Sequence, residues 1–203
     1  MVSRARILAV ALVSVLASVG VAATVTAAPA GAADSKVPPT EWAAAFCKSF
    51  ASYELNAYAA QQALQTAVTG VADSTAGAAA TQSIAGALSK TATSAGAAGD
   101  AATVAGVPDV KNGKAITTEL AAVLKGSSTV FTKAQKTALA LPSDPTKLTT
   151  ASKALGTTIS NGLSKLSGHS KKLTKLDKAG AIAKAVNADP TCAAANTVTQ
   201  GGA

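Results

Sequence analysis

Apolar positions beyond residue 40 recur along this chain on a rhythm of four and three. Phe46, Phe50, Tyr53, Ala57, Ala60, Leu64, Ala67 and Val71 form the first such series, and that spacing places them on one stripe of an amphipathic helix, which must pack against other helices. Five of the six aromatic residues fall between Trp42 and Val71, so this stretch predicts the anchor of the core. Before it, Val37-Pro38-Pro39 reads as part of an extended leader over 34–39, because a residue preceding proline is pushed out of the helical region. Thr40 then offers an N-cap and Glu41 a favourable first-turn acid, which starts a helix spanning about 40–71.

Three further segments repeat the rhythm. The second, 73–106, is built almost entirely from Ala, Gly, Ser and Thr, and Ile84, Leu88, Thr91, Ala95, Ala98 and Ala102 carry its stripe. Gly77, Gly86, Gly96, Gly99 and Gly106 each cost about 1 kcal/mol relative to alanine in a helix interior, so the expected helix is one of small residues held by tertiary packing. The alternative for this segment is a low-complexity disordered linker. Pro108-Asp109 opens the third segment, 109–141, where Ile116, Leu120, Val123, Ser127, Val130, Ala134, Thr137 and Leu141 form the stripe and Pro142 closes it. The fourth, 144–188, starts with Asp144 as cap and Pro145 at the first helical position, where its missing N–H is not needed. Leu148, Ser152, Leu155, Ile159, Leu163 and Leu166 face inward; after a break at Ser167-Gly168-His169 the pattern resumes with Leu173, Leu176, Ala179, Ile182, Ala183 and Val186. Asp189-Pro190 reads as its end, and 193–203 as a flexible tail. The fold class expected is all-α, an up-down-up-down four-helix bundle over 40–192.

The N-terminus changes the address of the molecule. Arg4 and Arg6 are followed by an uncharged run from Ile7 to Ala33 with small-residue sites at Ala28-Pro29-Ala30 and Ala30-Gly31-Ala32, the pattern of a secretory signal peptide over 1–33. The run is also long enough to span a bilayer if retained, since about 20 apolar residues suffice. Pro29 and Gly31 break a helix there and favour cleavage near Ala32 or Ala33, after which no transmembrane segment remains in the expectation. The first cysteine, Cys47, lies well inside the mature chain, which argues against a lipid anchor.

Export makes a disulfide the expected state of the two cysteines, Cys47 and Cys192. They stand 145 residues apart, so on the chain-entropy account the bond contributes up to about 5 kcal/mol. A redox-active pair is the alternative, but reactive cysteines usually come as Cys-x-x-Cys or beside a charge partner, and two cysteines this far apart in sequence read first as a staple. In an up-down-up-down bundle the start of the first helix and the end of the fourth lie at one end, as the bond requires. A full reversal at 167–169 would carry Cys192 to the wrong end, so the break there is expected to be a kink or offset.

Candidate chemistry is sparse. His169 is the only histidine, set in Ser-Gly-His-Ser-Lys-Lys with no nucleophile elbow, and reads as an exposed loop residue. No HExxH, clustered Cys/His, phosphate-cradling glycine loop or EF-hand pattern occurs, so the chain is read as non-enzymatic, with no cofactor and no metal. Tyr53 and Tyr58 read as packing residues. Charge is the more informative feature: 34–110 carries three Lys and six acids, whereas 111–203 carries thirteen Lys and four acids. Lys165, Lys171, Lys172, Lys175, Lys178 and Lys184 concentrate it, with Lys171, Lys175 and Lys178 at i, i+4 and i+7 on a face apart from Leu173 and Leu176, a basic amphipathic helix. This is either a solvated face or a surface that adheres to an anionic cell-envelope polymer or to lipid headgroups, where compact ammonium charges suffice. Sequence-specific nucleic-acid binding is discounted, because after cleavage the chain holds no arginine to grip guanine bidentately. Another class of function is a carrier, with a small apolar ligand held between the helices near Trp42, Phe46 and Phe50.

The signal peptide, the alanine-rich helices, and Phe46-Cys47 near the start with Pro190-Thr191-Cys192 near the end give the chain a resemblance to the small secreted alanine-rich helical proteins common in actinobacteria. The resemblance covers the whole mature chain, is compositional and architectural, and implies an exported address without an enzymatic activity. It assigns no functional residues.

Overall fold

The computed structural model describes residues 35–201; the expected signal peptide over 1–33, its expected cleavage and the alternative of a retained anchor lie outside the described residues. The protein is mostly helical, with α1 over Pro39–Thr69, α2 over Ser74–Val104, α3 over Gly113–Ala138, α4 over Pro145–Ser164, α5 over Ser167–Leu176, α6 over Ala181–Ala188 and α7 over Pro190–Gly201. Two short strands, β1 (Lys36–Val37) and β2 (Val107–Pro108), pair in parallel. No helix of the described residues is long and apolar enough to cross a membrane.

α1 begins with Pro39, not with Thr40 as its cap: Pro38 occupies the N-cap position without a side-chain bond, and Trp42 N–H donates to its carbonyl at 3.0 Å. The second segment is a continuous 31-residue helix, not a disordered linker. Its Asp73 carboxylate accepts from Ala76 N–H at 2.8 Å, and all six residues of its expected stripe are fully buried. Alanine and glycine let α2 lie close to α1 and α3, which supplies the packing that propensity withholds. The third segment starts four residues later than expected. Pro108 belongs to β2, where Val107 N–H donates to Ser35 O and Asp109 N–H to Val37 O, both at 2.8 Å. The leader is thus tied into a strand pair, a feature that two-residue strands leave invisible in any hydrophobic period.

The four long helices pack consecutively, α1 on α2, α2 on α3 and α3 on α4, and α4 also packs on α1. Successive neighbours are antiparallel. Trp42 and Asn56 of α1 bond to Ala102 and Ser94 of α2, and Ser128 and Lys125 of α3 bond to Ala92 and Asp100 of α2. A Cβ added to Gly162 of α4 would lie 2.8 Å from Val130, and one added to Gly126 of α3 would lie 2.7 Å from Leu166.

The largest departures from the sequence reading come after Ser164. The break expected at 167–169 sits at Lys165–Leu166, and those later residues form the first turn of α5. The chain then continues along α3 in the same sense, with His169 beside Glu119 and Leu176 beside Asn112. A second interruption at 177–180 divides what the sequence suggested was one helix. Gly180 takes a left-handed conformation (φ 65°), which glycine adopts without cost. The Asp177 carboxylate turns to accept from Ile182 and Ala183 N–H at 3.4 and 3.1 Å, which starts α6. Finally, the expected tail is a helix. Asp189 ends α6 as expected, as its C-cap with N–H to Val186 O, and Asp189-Pro190 also starts α7: Asp189 Oδ1 accepts from Thr191 N–H at 2.9 Å and Cys192 N–H at 3.2 Å. α7 packs along α1 and is fastened to it by the Cys47–Cys192 disulfide, whose Cα atoms are 5.3 Å apart.

Two apolar clusters make up the core. One surrounds the disulfide and includes Trp42, Phe46, Phe50, Ile116, Leu124, Ile182 and Val186; the other includes Ile84, Leu88, Phe131, Leu148 and Leu155, and Tyr53 touches both. Between them the helices contribute polar residues: Glu54 and Asn56 from α1, Thr91 and Ser94 from α2, and Ser127 from α3.

Candidate functional site

The lysines singled out by sequence lie on four elements instead of one helix. Lys171, Lys172 and Lys175 are on α5, Lys165 follows the end of α4, Lys178 sits in the 177–180 turn and Lys184 is on α6. The i, i+4, i+7 face is therefore broken before Lys178, because Asp177 and Gly180 end α5. All six side chains are exposed. α5 itself is amphipathic as expected, with Leu173 and Leu176 packed against the disulfide-end cluster.

What surrounds these cations is set by the four acids of the C-terminal half. Glu119 on α3 receives Lys172 Nζ at 3.2 Å on Oε1, and its Oε2 lies 2.5 Å from His169 Nδ1. The His169 hydrogen bond holds the Glu119 carboxyl below its usual range; desolvation opposes it, and Lys172 adds to the lowering. The other three acids are spent on backbone: Asp144 accepts from Lys147 N–H at 2.9 Å, Asp177 caps α6 and Asp189 caps α7. Among the described residues, Lys165, Lys171, Lys175, Lys178 and Lys184 have no ion-pair partner. His169 is not a loop residue; it lies in the first turn of α5, with 38% of its side chain exposed and its ring engaged.

A further cation reaches this region from elsewhere in the sequence. Asn112, the N-cap residue of α3, has a left-handed backbone (φ 66°), and its carbonyl accepts from Ile116 N–H at 2.9 Å while its side chain makes no cap bond to the helix. Its Nδ2 donates instead to Leu176 O at 3.3 Å, across 64 residues. Lys111, exposed, is the residue before this tether to the end of α5. A single sequence offers no periodic signal for such a contact.

Two other places gather side chains that could carry chemistry. At the aromatic end, Trp42 and Phe46 stack at 5.0 Å and Phe46 and Phe50 at 4.9 Å, all three buried with Ile182 and Val186 against them. The Trp42 Nε1–H donates to Ala102 O at 3.2 Å, so the indole's one donor is used within the fold. The Asp189 carboxylate lies within 4.8 Å of both cysteine sulfurs, but sulfurs bonded to each other offer no thiolate for a metal. The residue that sequence reasoning missed is Glu54. It is 5% exposed, and neither carboxyl oxygen has a hydrogen-bond partner among the described residues. Burial pushes its pKa up to about 7. Its neighbour Tyr53 is likewise raised by burial, against a hydrogen bond with Ser127 that lowers it. Glu54 stands seven residues after Cys47, two turns along the same face, a position at which an acid is conspicuous once that face is known to be covered.

No family model, no curated protein and no solved structure matches the chain.

Proposed function

We propose that this is an exported, non-enzymatic protein whose helices form an up-down-up-down bundle, extended by α5–α7, that adheres to an anionic surface at the cell envelope through its lysine-rich C-terminal half. The observation that carries this reading is the engagement of every acid in that half. Three carboxylates face backbone N–H groups as helix caps and the fourth faces His169 and Lys172, which leaves a group of exposed ammonium groups with no ion-pair partner among the described residues. Such a group raises the local potential and attracts polyanions in a manner that salt screens. The disulfide and the strong C-terminal asymmetry of charge support export and surface contact together. The partner class is a polymer or surface bearing repeated anionic groups, recognised by charge rather than by bidentate geometry.

The test is retention of the mature protein on anionic beads across a salt gradient. Retention at low salt that is lost by moderate ionic strength is expected, together with its loss when Lys171, Lys172, Lys175 and Lys178 are all changed to Gln. A quadruple variant that elutes with the wild type would sink the reading.

A further inference from the structure

The adhesion reading leaves two kinds of surface in play, a hydrated polymer and a bilayer, and it locates the contact only on the lysines of one continuous stretch. The structure bears on both points. A helix that lies on a membrane presents an apolar face to the acyl boundary beneath its cations. On α5 that face is already used, since Leu173 and Leu176 pack into the disulfide-end cluster, and Ile182 and Val186 of α6 belong to the same cluster. The large hydrophobic side chains exposed in the described residues are Leu55, Val104, Leu139 and Val198, and none lies between 165 and 184. The lysine face thus has charge without a wedge.

The contact region is also wider than the stretch that suggested it. The Asn112 Nδ2 to Leu176 O bond, 3.3 Å long, ties the side chain of the residue next to Lys111 to the last turn of α5, where Lys175 sits, with Lys178 two residues beyond. Lys172 contributes less than its neighbours because Glu119 holds its ammonium. We propose that Lys111, Lys171, Lys175 and Lys178 form one composite surface, drawn from two distant segments, that takes a hydrated anionic polymer chain and not a lipid bilayer. This rests on the adhesion reading and narrows it. Because Lys111 is brought in only by the fold, the surface exists in the folded protein and not in a peptide of 165–184.

The experiment compares single variants on two probes: long-chain polyphosphate immobilised on a sensor, and vesicles of phosphatidylcholine with phosphatidylglycerol, at physiological ionic strength. Lys111→Gln is expected to weaken polyphosphate binding roughly fivefold, the contribution of one lysine near an anionic surface. Lys153→Gln removes the same charge from an exposed position on α4, and is expected to change it less than about twofold, since charges beyond a screening length contribute little. Vesicles are expected to retain little protein. Equal losses in the two variants overturn the composite surface while leaving adhesion intact. Vesicle binding as tight as polyphosphate binding overturns the choice of polymer over bilayer. Wild-type protein that binds neither probe overturns the adhesion reading and this inference with it.

Discussion

His169 of α5 and Glu119 of α3 meet with Nδ1 and Oε2 2.5 Å apart, and Lys172 approaches the other oxygen of the same carboxylate at 3.2 Å. One acid thus ties a short helix, none of whose residues is fully buried, to the long helix it runs along. Glu119→Gln is expected to loosen this tie, seen as faster amide exchange over 167–176 with the rest of the chain unchanged. The same change releases Lys172 and should strengthen retention on a polyanion. Because the folded pKa of Glu119 is lowered, its stabilising contribution is present above the ordinary carboxylate range and fades as pH falls through the lowered value. Unchanged exchange in α5 would show that the leucine contacts alone hold it.

Glu54 acts in the opposite sense. Its folded pKa of about 7 lies above the model-compound value of 4.5, so the folded protein binds more protons than the unfolded chain between those values and stability falls as pH rises through that window. The full difference is of order 3 kcal/mol. Urea titrations at pH 4.5 and pH 8 should show the loss, and Glu54→Gln should remove most of it, with the variant more stable than wild type at pH 8. A wild type and variant with parallel pH profiles would mean that the carboxyl finds compensation on ionising.

The disulfide closes a 145-residue separation with both sulfurs buried. Cys47→Ser with Cys192→Ser is expected to lower unfolding free energy by up to about 5 kcal/mol on the chain-entropy account, measured as a shift in urea midpoint. Since each cysteine is 0% exposed, a mild reductant without denaturant should act slowly on the folded protein, at a rate set by local opening of α7.

Two glycines of α2 should respond oppositely to alanine. At Gly86 an added Cβ meets nothing within 4 Å, so Gly86→Ala should stabilise by about 0.5–1 kcal/mol through helix propensity. At Gly77 the added Cβ would stand 2.0 Å from Ser143 O, a backbone atom that cannot swing aside. Gly77→Ala should therefore destabilise despite the better propensity, and thermal melts of the two variants should move in opposite directions.

The long helices were legible because burial imposes a period on them. Even α2, half of whose stripe is alanine, hides Ile84, Leu88, Thr91, Ala95, Ala98 and Ala102 completely, and the rhythm survives with little bulk. Thr137 of α3 breaks the pattern by lying exposed while Ala138 is buried, a small slip of phase near a helix end. The region after Ser164 was harder, since an aspartate before a proline has two meanings. Asp144-Pro145 and Asp189-Pro190 both begin helices, and the second also closes the helix before it, so reading it as a stop alone hid the helix that follows. Gly180 was one small residue among many, and its left-handed backbone has no signature in a chain rich in glycine. As for the surface, the sequence displays which lysines are close along the chain, but the neutralisation of Lys172 and the recruitment of Lys111 depend on pairings across 53 and 64 residues. No local pattern encodes these.

The bond between Cys47 and Cys192 also decides where tension would travel if the protein were held at a surface and pulled by its ends. Cys47 lies in the first turns of α1 and Cys192 in the first turn of α7, so the covalent shortcut bypasses everything between them. A force applied at the two ends of the described chain would run through the start of α1, the sulfur bridge and α7. α2 to α6, together with the lysine surface they carry, would hang from that path, reached by the load only through the strand pair that ties the leader to Val107 and Asp109.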